Sequence, residues 1–525
     1  MSELDTSAEI TKLARLLEIE EDRLDFLADS PAEPIRHLRE QLTDALFDEH
    51  RPLFRRLAAA SKLVPPGLTT RFAVRLFGPR LSAGVAGEMP AGRAIDLARR
   101  LPAEFLADTS VEVDPHRIPD LVSGMPVDRI IGAARVLRER GEYVTMGRFV
   151  DTMSDDATVE VIDDLDDSEA LLRIAFFAEN KPHLDAVCRL LSDDHLRGLM
   201  AAAEEHDLWT EALALLVHLS DSTLGRLGDL ASEMDEAILT SLVRVVVSND
   251  RWPVVLSAVR HMAEPNQKKL AGLAALDDDG VLTSIVGAGH DHNLWAEALP
   301  LLGLLDGERQ GRLADVAASM DDSVLDGLVR VVVDEDRWPV ILGAIRHLSD
   351  AGRQKLATLA ALDDDTVLTS ISRSAHQHDL WEAALPFLAI LDDDHRRRIA
   401  ALAADMDPEV IQGAIAAADR TGEVDTLLDL LEQLDDDSWV HLLERADEVT
   451  ESLLRTCLDA AEHHDAWPRV LELMARQNER VQQGIGTAAA RLRDDEYARL
   501  RARAESLGLW PRLDAVEDAR SHALA

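Results

Sequence analysis

Histidines are the first residues in this chain that could do chemistry, because several of them come in close pairs. Three such pairs occur: His290 with His292, His376 with His378, and His463 with His464. Residues one or two positions apart on a helix point to different sides, so these pairs are poor chelators. The sequence has no HExxH and no CxxC motif. We therefore predict no metal site and expect these histidines to cap helix C-termini, where their rings can reach terminal carbonyls.

Short acidic runs are the second candidate for metal chemistry. Four runs occur, at Asp277–Asp279, Asp363–Asp365, Asp392–Asp394 and Asp435–Asp437. They lack the alternating ligand spacing and the terminal glutamate of an EF-hand calcium loop. Each run lies where a helix should begin, and carboxylates there accept hydrogen bonds from free N–H groups and favour the helix dipole. We interpret the runs as helix caps.

No other motif indicates catalysis or a cofactor. The glycine pairs at 287–289 and 484–486 lack a third glycine and a preceding strand, so they do not predict a phosphate-binding loop. No GxSxG and no GxxxxGK[ST] sequence occurs. Cys188 and Cys457 lie on apolar helical faces, which favours buried thiols over nucleophiles. We predict a protein that is not an enzyme and needs no cofactor.

One segment of the chain is basic although the chain as a whole is strongly acidic. Residues 51–100 contain ten basic and two acidic residues, whereas the chain has 98 acidic and 55 basic residues and a formal net charge of −43. The candidate docking residues are Arg55, Arg56, Lys62, Arg71, Phe72, Arg75, Phe77 and Arg80. Interleaved cations and apolar side chains suit an anionic membrane surface or a partner protein. Alternatively, the segment packs against its own acidic neighbour, or its apolar residues cap the end of a repeat core.

Length and composition limit the class of protein. A single core rarely grows beyond about 300 residues, so 525 residues must divide or elongate. A hydrophobic content of 46 % excludes a disordered polyanion, and two cysteines exclude a disulfide framework. No signal segment and no apolar run near 18 residues occurs, so we expect a cytoplasmic protein. The acidic excess should repel nucleic acid.

Seven of the eight tryptophans follow one spacing rule along the second half of the chain. They are Trp209, Trp252, Trp295, Trp338, Trp381, Trp467 and Trp510, and every interval is 43 residues or twice 43. Val424 occupies the remaining position, and apolar residues recur four and seven positions after each of the seven marks from Trp209 to Trp467. That spacing describes one face of an α-helix. We predict that the indoles form the core between stacked repeats, not a ligand cage.

Each 43-residue repeat divides into a turn and three helices. Two positions before each mark stands Asp, Asn or Gly, residue types that tolerate left-handed backbone. Around Trp338 we predict helices over 322–334, 338–347 and 351–362. Longer identities recur at 86 residues, such as LVRVVV at 242–247 and 328–333, which indicates duplication of a two-repeat block. Three short helices in about 43 residues resemble an armadillo/HEAT-like α-solenoid repeat protein.

The N-terminal part follows a different rhythm. A long amphipathic helix is predicted over 34–62 and a basic one over 69–77. Prolines then recur every 11 to 13 residues, at Pro90, Pro102, Pro115 and Pro126, each before a short apolar stretch. Residues 86–167 weakly resemble the short helical repeats of the cytosolic N-domain of bacterial magnesium transporters. The nucleotide-sensor and membrane domains of those transporters have no counterpart in this sequence, so the resemblance does not imply transport.

These observations predict an all-α protein, an α-solenoid (superhelix) of about 43-residue, mostly three-helix repeats with an N-terminal helical module. The predicted segments are 1–33 (acidic, helical), 34–85 (basic amphipathic helices), 86–167 (short-helix repeats) and 168–525 (solenoid). The predicted function is a non-enzymatic scaffold whose acidic surface binds a protein partner with a basic segment. The alternative is a peripheral membrane adaptor that docks through residues 51–82 at the inner face of the membrane. A third reading, an enzyme with scattered site residues in the N-terminal module, has no motif to support it.

Overall fold

The computed structural model describes residues 3–405, 408–444 and 449–525, and within these ranges every regular element is helical. The chain divides into two compact units, Met1–Leu270 and Ala271–Ala525. Each unit consists of short helices in tandem, which confirms the predicted all-α solenoid class of fold. The predicted four-segment division remains a prediction. Across these same ranges, none of the helices combines the length and apolarity needed to cross a membrane.

Eighteen helices begin in the first unit. They are α1 (Glu3–Leu17), α2 (Ala32–Ser61), α3 (Pro66–Phe72), α4 (Gly78–Gly87), α5 (Ala91–Ala98), α6 (Ala103–Glu112), α7 (Pro119–Ser123), α8 (Val127–Glu139), α9 (Tyr143–Phe149), α10 (Asp155–Leu165), α11 (Ser168–Phe177), α12 (His183–Leu190), α13 (Asp193–Glu205), α14 (Trp209–Leu216), α15 (Asp221–Ser232), α16 (Glu236–Ser248), α17 (Trp252–Arg260) and α18 (Glu264–Ala271). Short 3₁₀ turns at Glu21–Leu27, Pro115–Arg117 and Val150–Thr152 and a π-helical turn at Ala73–Phe77 join some of them.

The described part of the second unit continues the same pattern. Its helices are α19 (Asp279–Asp291), α20 (Trp295–Leu302), α21 (Gly307–Ser319), α22 (Asp322–Asp334), α23 (Trp338–Ile345), α24 (Asp350–Ala357), α25 (Asp365–Gln377), α26 (Trp381–Ile390), α27 (Asp393–Asp405), α28 (Pro408–Thr421), α29 (Val424–Glu432), α30 (Asp436–Glu444), α31 (Val449–His463), α32 (Trp467–Arg476), α33 (Glu479–Ala489), α34 (Asp494–Ser506) and α35 (Asp514–Leu524). The 3₁₀ turns are Ala274–Asp277, Ala360–Asp363 and Trp510–Arg512. Helix α22 has the predicted bounds and α23 ends two residues early, whereas the third predicted helix, 351–362, is divided into α24 and the 3₁₀ turn Ala360–Asp363.

A left-handed turn precedes each repeat mark. The residue two positions before the mark has a positive φ at Asp207, Asp250, Asn293, Asp336, Asp379, Gly422, Asp465 and Gly508, between 49° and 82°. At every mark except Val424, the turn is a Schellman turn: the next residue donates its backbone N–H to a carbonyl five positions earlier, as Leu380 does to Ala375 at 2.8 Å. This bond satisfies a carbonyl at the end of one helix while the chain reverses into the next. The predicted left-handed turn is therefore present.

The tryptophans form the repeat core, as predicted, with one exception. The indoles at 209, 252, 295, 338, 381 and 467 are each at most 6 % exposed, and Val424 is 5 % exposed. Trp510 is half-buried and begins a 3₁₀ turn instead of a helix. Its ring lies edge-on to Tyr497 and beneath the guanidinium of Arg501. Its ring packs against the same apolar core as Trp467.

The acidic runs do cap helices, and two of them also accept ion pairs from arginines on a later helix. Asp278 accepts hydrogen bonds from the N–H groups of Gly280 and Val281 at 2.7 and 3.3 Å. Arg309, in the first turn of α21, donates to Asp277 at 2.8 Å. Arg312 on α21 and Arg398 on α27 donate in the same way to Asp279 and Asp365, each at 2.6 Å. The runs therefore serve as caps and as ion-pair acceptors for arginines of these helices.

Two of the histidines predicted to cap their own helices, His378 and His464, instead contact the preceding repeat. The Nε2 atom of His378 lies 3.2 Å from a carboxylate oxygen of Asp336. The Nε2 atom of His464 lies 2.8 Å from the backbone carbonyl oxygen of Asp419. The reason is the Schellman turn, which already satisfies the carbonyls of the same helix. The part of the chain that the structure describes contains no group of three metal-ligating side chains.

A buried network of charged side chains holds the N-terminal helices in the first unit. Glu9 on α1 is 1 % exposed and accepts hydrogen bonds from Lys12 at 2.9 Å and Arg39 at 3.1 Å. Arg39 on α2 also reaches Glu179, which lies between α11 and α12, at 3.1 Å. His116 lies 2.7 Å from the other oxygen of Glu179. These contacts tie α1 and α2 to repeats more than 100 residues away in sequence, at positions where charges are costly unless paired.

Candidate functional site: a basic and apolar docking surface

The candidate docking residues lie around the end of α2 and the elements that follow it. Pro65 and Pro66 follow the end of the long helix and start α3, because the first turn of a helix is where proline's missing N–H costs no helical hydrogen bond. Arg93 on α5 donates to the carbonyls of Ser61 and Val64, which fixes the turn between α2 and α3. Gly78 then adopts a φ of 72°, and Pro79 follows in the first turn of α4. The backbone of Gly78 thus separates the π-helical turn from α4.

Small residues on α4 set how closely it packs on α2. A β-carbon at Gly84 would lie 2.4 Å from the ring of Phe54, and one at Gly87 would lie 3.3 Å from Phe47. Glycine is therefore required at 84, where the ring occupies the space of a side chain. The α2–α4 contact in turn fixes the relative positions of the cations on both helices.

All eight predicted docking residues are exposed. Apolar side chains beside them are exposed as well: Leu63 (88 %), Leu76 (71 %), Leu68 (45 %), Phe72 (42 %), Val74 (41 %) and Phe77 (37 %). We call Arg56, Lys62, Leu63, Leu68, Arg71, Phe72, Val74, Arg75, Leu76, Phe77 and Arg80 together the docking surface. Sequence reasoning missed Leu63 as a surface residue, because a single leucine before two prolines has no periodicity. The one feature of the sequence that could have indicated exposure of Leu63 was its position directly after Lys62.

The predicted neutralisation of the basic segment by acidic neighbours is incomplete. Arg51 and Arg55 donate to the two oxygens of Glu88 at 2.6 and 3.0 Å. Burial alone would raise the pKa of Glu88, and the two hydrogen bonds more than offset it, so this pKa lies below its usual value. Arg80 lies 3.4 Å from Glu18. These three arginines are thus paired inside the first unit.

Four cations of the docking surface have no acidic partner within the described residues. Arg56, Lys62, Arg71 and Arg75 lie more than 4 Å from every carboxylate in those ranges. No acidic residue occurs between Arg51 and Gly87. The docking surface is therefore a local excess of positive charge mixed with exposed apolar side chains.

A second surface, in the second unit, carries the opposite charge. Residues 271–440, which we call the acidic array, contain 34 acidic and 12 basic residues. Arginines on later helices pair with the acidic runs, but exposed carboxylates without an ion pair remain at Asp291, Asp321, Asp334 and Glu382. They recur because each repeat begins and ends its helices with acids. The array has more negative charge than its own cations can neutralise.

The two cysteines are weak nucleophiles. Both thiols are free and half-buried. Burial raises the pKa of Cys188 to about 11 and that of Cys457 to about 12. At neutral pH both side chains are protonated, and the thiolate is the reactive form.

The fold and these two surfaces define a helical tandem-repeat protein with oppositely charged exposed faces. Comparison with known proteins adds no family: no protein family matches the chain, and no curated protein is similar to it. One solved structure that it matches is described as a "Circular tandem repeat protein with novel repeat topology and enhanced subunit contact surfaces". The match covers 100 % of this chain and 97 % of that one, at 15 % identity and a TM-score of 0.13. At that score the match supports no argument about shape or function.

Proposed function

We propose that the protein is a non-enzymatic scaffold whose acidic array binds basic segments of partner proteins. The observation that supports this proposal is the excess of 34 acids over 12 bases across 170 consecutive residues of stacked repeats. Tandem repeats offer an extended surface without closing a core around it. An anionic surface attracts cationic segments and repels nucleic acid and anionic lipid.

Fluorescence anisotropy with a labelled peptide of alternating lysine and serine tests the proposal. We expect binding that weakens steeply between about 0.05 and 0.5 M salt, because screening shortens the range of exposed charges. A variant with Asp291, Asp321, Asp334 and Glu382 changed to their amides should bind several-fold more weakly. These four side chains are exposed and form no ion pair, so the fold should tolerate the change.

A matched control separates the acidic array from net charge alone. Asp22, Asp25, Asp29 and Glu33 are also exposed and free of ion pairs, but they lie in the first unit. Changing them to amides removes the same four charges. If this control loses as much affinity as the array variant, or if affinity does not change with salt, the proposal is wrong.

A further inference from the structure

The docking surface has no role in binding a basic partner, so it calls for a separate explanation. We propose that it binds the surface of an anionic phospholipid membrane. The proposal does not depend on the acidic array, since the two surfaces lie in different compact units.

Exposed apolar side chains are concentrated in and near the docking surface. Among the described residues, fifteen large apolar side chains are exposed, and eight of them lie between Leu46 and Phe77. Isolated exposed leucines are common on soluble proteins, but a contiguous group marks an interaction site. The most exposed of these eight, Leu63 and Leu76, lie in or beside the turns that flank α3. Side chains this exposed project from the surface, where they can enter the headgroup region of a bilayer.

The charge of the docking surface is complementary to anionic lipid. Arg56, Lys62, Arg71 and Arg75 are exposed and without acidic partners in the described chain. The net charge of −43 opposes approach to such a membrane only at long range. At physiological ionic strength, exposed charges more than about 8 Å apart are largely screened. Because no acid lies between Arg51 and Gly87, attraction dominates where contact occurs.

The order of residue types favours a lipid surface over a protein partner. Cations directly precede exposed apolar residues of the docking surface three times, at Lys62–Leu63, Arg71–Phe72 and Arg75–Leu76. Protein interfaces usually separate an apolar centre, depleted of lysine, from a charged rim. At a membrane, by contrast, each apolar side chain inserts while the neighbouring cation remains at the headgroups. The docking surface has the mixed arrangement.

Flotation of the full chain with two kinds of vesicle tests the proposal. We expect binding to phosphatidylcholine vesicles that contain about 30 % phosphatidylserine, and little binding to pure phosphatidylcholine. Changing Arg71 and Arg75 to Gln should lower the partition coefficient roughly 25-fold, because each basic residue near an anionic surface contributes roughly fivefold. Changing Leu63 and Leu76 to Ser should lower it roughly tenfold through lost apolar contact.

The matched control is Arg99 and Arg100 changed to Gln, which removes the same charge from exposed, unpaired residues outside the docking surface. This control should bind like the wild type.

Insertion can be observed directly with a polarity-sensitive dye on a Leu76→Cys variant. That thiol should label selectively at neutral pH because burial keeps the two native thiols protonated. Its emission should shift to the blue on anionic vesicles.

Three results would overturn the proposal. The wild type could fail to float with anionic vesicles at about 0.1 M salt. The control variant could lose as much binding as Arg71→Gln/Arg75→Gln. Finally, the docking-surface variants could change the molar mass of the protein in light scattering while vesicle binding is absent, which would identify a second copy of the chain as the occupant.

Discussion

Replacing Gly327 by serine should stabilise the protein by giving a buried indole the acceptor it lacks. In the next repeat, the Nε1–H of Trp338 donates to the hydroxyl of Ser370 at 2.9 Å, and that hydroxyl donates to the carbonyl of Val367 at 2.8 Å. The corresponding residue for Trp295 is Gly327, 32 positions later. The Nε1 atom of Trp295 is buried without a partner. A serine at 327 would restore the arrangement of the neighbouring repeat.

The space for this side chain exists. A β-carbon at position 327 would lie 3.5 Å from Nε1 of Trp295 and 3.6 Å from Nδ1 of His290, which are ordinary contact distances. Inside a helix, alanine should gain about 1 kcal/mol over glycine and serine about half of that. A hydrogen bond to an otherwise unsatisfied buried donor adds about 1–2 kcal/mol. The free energy of unfolding of Gly327→Ser should therefore exceed that of Gly327→Ala by about 0.5–1.5 kcal/mol. Helix propensity alone would make the alanine variant the more stable one.

Urea denaturation of the full chain, followed by tryptophan fluorescence and circular dichroism, measures the difference. Because long repeat arrays depart from two-state unfolding, the comparison rests on shifts of the transition midpoint among matched variants. The serine advantage should disappear in a Trp295→Phe background, which has no indole donor. The hydrogen-bond reasoning is refuted if the Gly327→Ser variant is less stable than Gly327→Ala. It is also refuted if the serine variant remains the more stable one when Trp295 is replaced by Phe.

Two further predictions concern the first unit. Gly84→Ala should cost about 1–3 kcal/mol of stability through overpacking against Phe54, measured by thermal unfolding, whereas Gly92→Ala, in open space on α5, should cost nothing. Burial would raise the pKa of Glu179, but the hydrogen bond from His116 and nearby cations lower it from 4.5 to about 2. Its stabilising contribution, on the order of 3 kcal/mol, is therefore present above pH 4.5 and lost as pH falls towards 2. Glu179→Gln should destabilise the protein at pH 7, and the gap from the wild type should narrow between pH 4.5 and 3; a constant gap over that range would contradict this account.

The repeat architecture could be predicted from the sequence because the residues that define each turn and helix lie within that repeat. The left-handed turn needs only Asp, Asn or Gly two positions before the mark, and the helix behind it needs only apolar residues at helical spacing. Helix α22 begins and ends at the predicted residues, Asp322 and Asp334. The long helix predicted over 34–62 spans Ala32–Ser61. These features depend on neighbours within a few residues, where sequence reasoning is strongest.

Contacts between distant segments could not be predicted in the same way. Glu9, Lys12 and Arg39 each resemble a solvated surface residue when considered alone, since charged residues are rarely buried. Their burial depends on Glu179, which lies 140 residues beyond Arg39. For the docking surface, the sequence predicted the exposed cations, but only the structure distinguishes arginines that pair with Glu88 from those that have no acidic partner. The role of His378 also depends on the preceding repeat.

The alternation of indole environments has a consequence for how such a chain can change its length. Trp295 and Trp381 both face a glycine, at 327 and 413, whereas Trp338 faces a serine. Excision of residues 295–380 would join Leu294 to Trp381 and recreate the Leu–Trp junction already present at 380–381. Removing only one repeat, residues 295–337, would instead join Leu294 to Trp338. His290 would then take the position that Val333 occupies before Trp338. Such a chain should therefore gain or lose repeats in pairs. Insertion or deletion of a single repeat would place a tryptophan beside residues that belong to the other type of repeat.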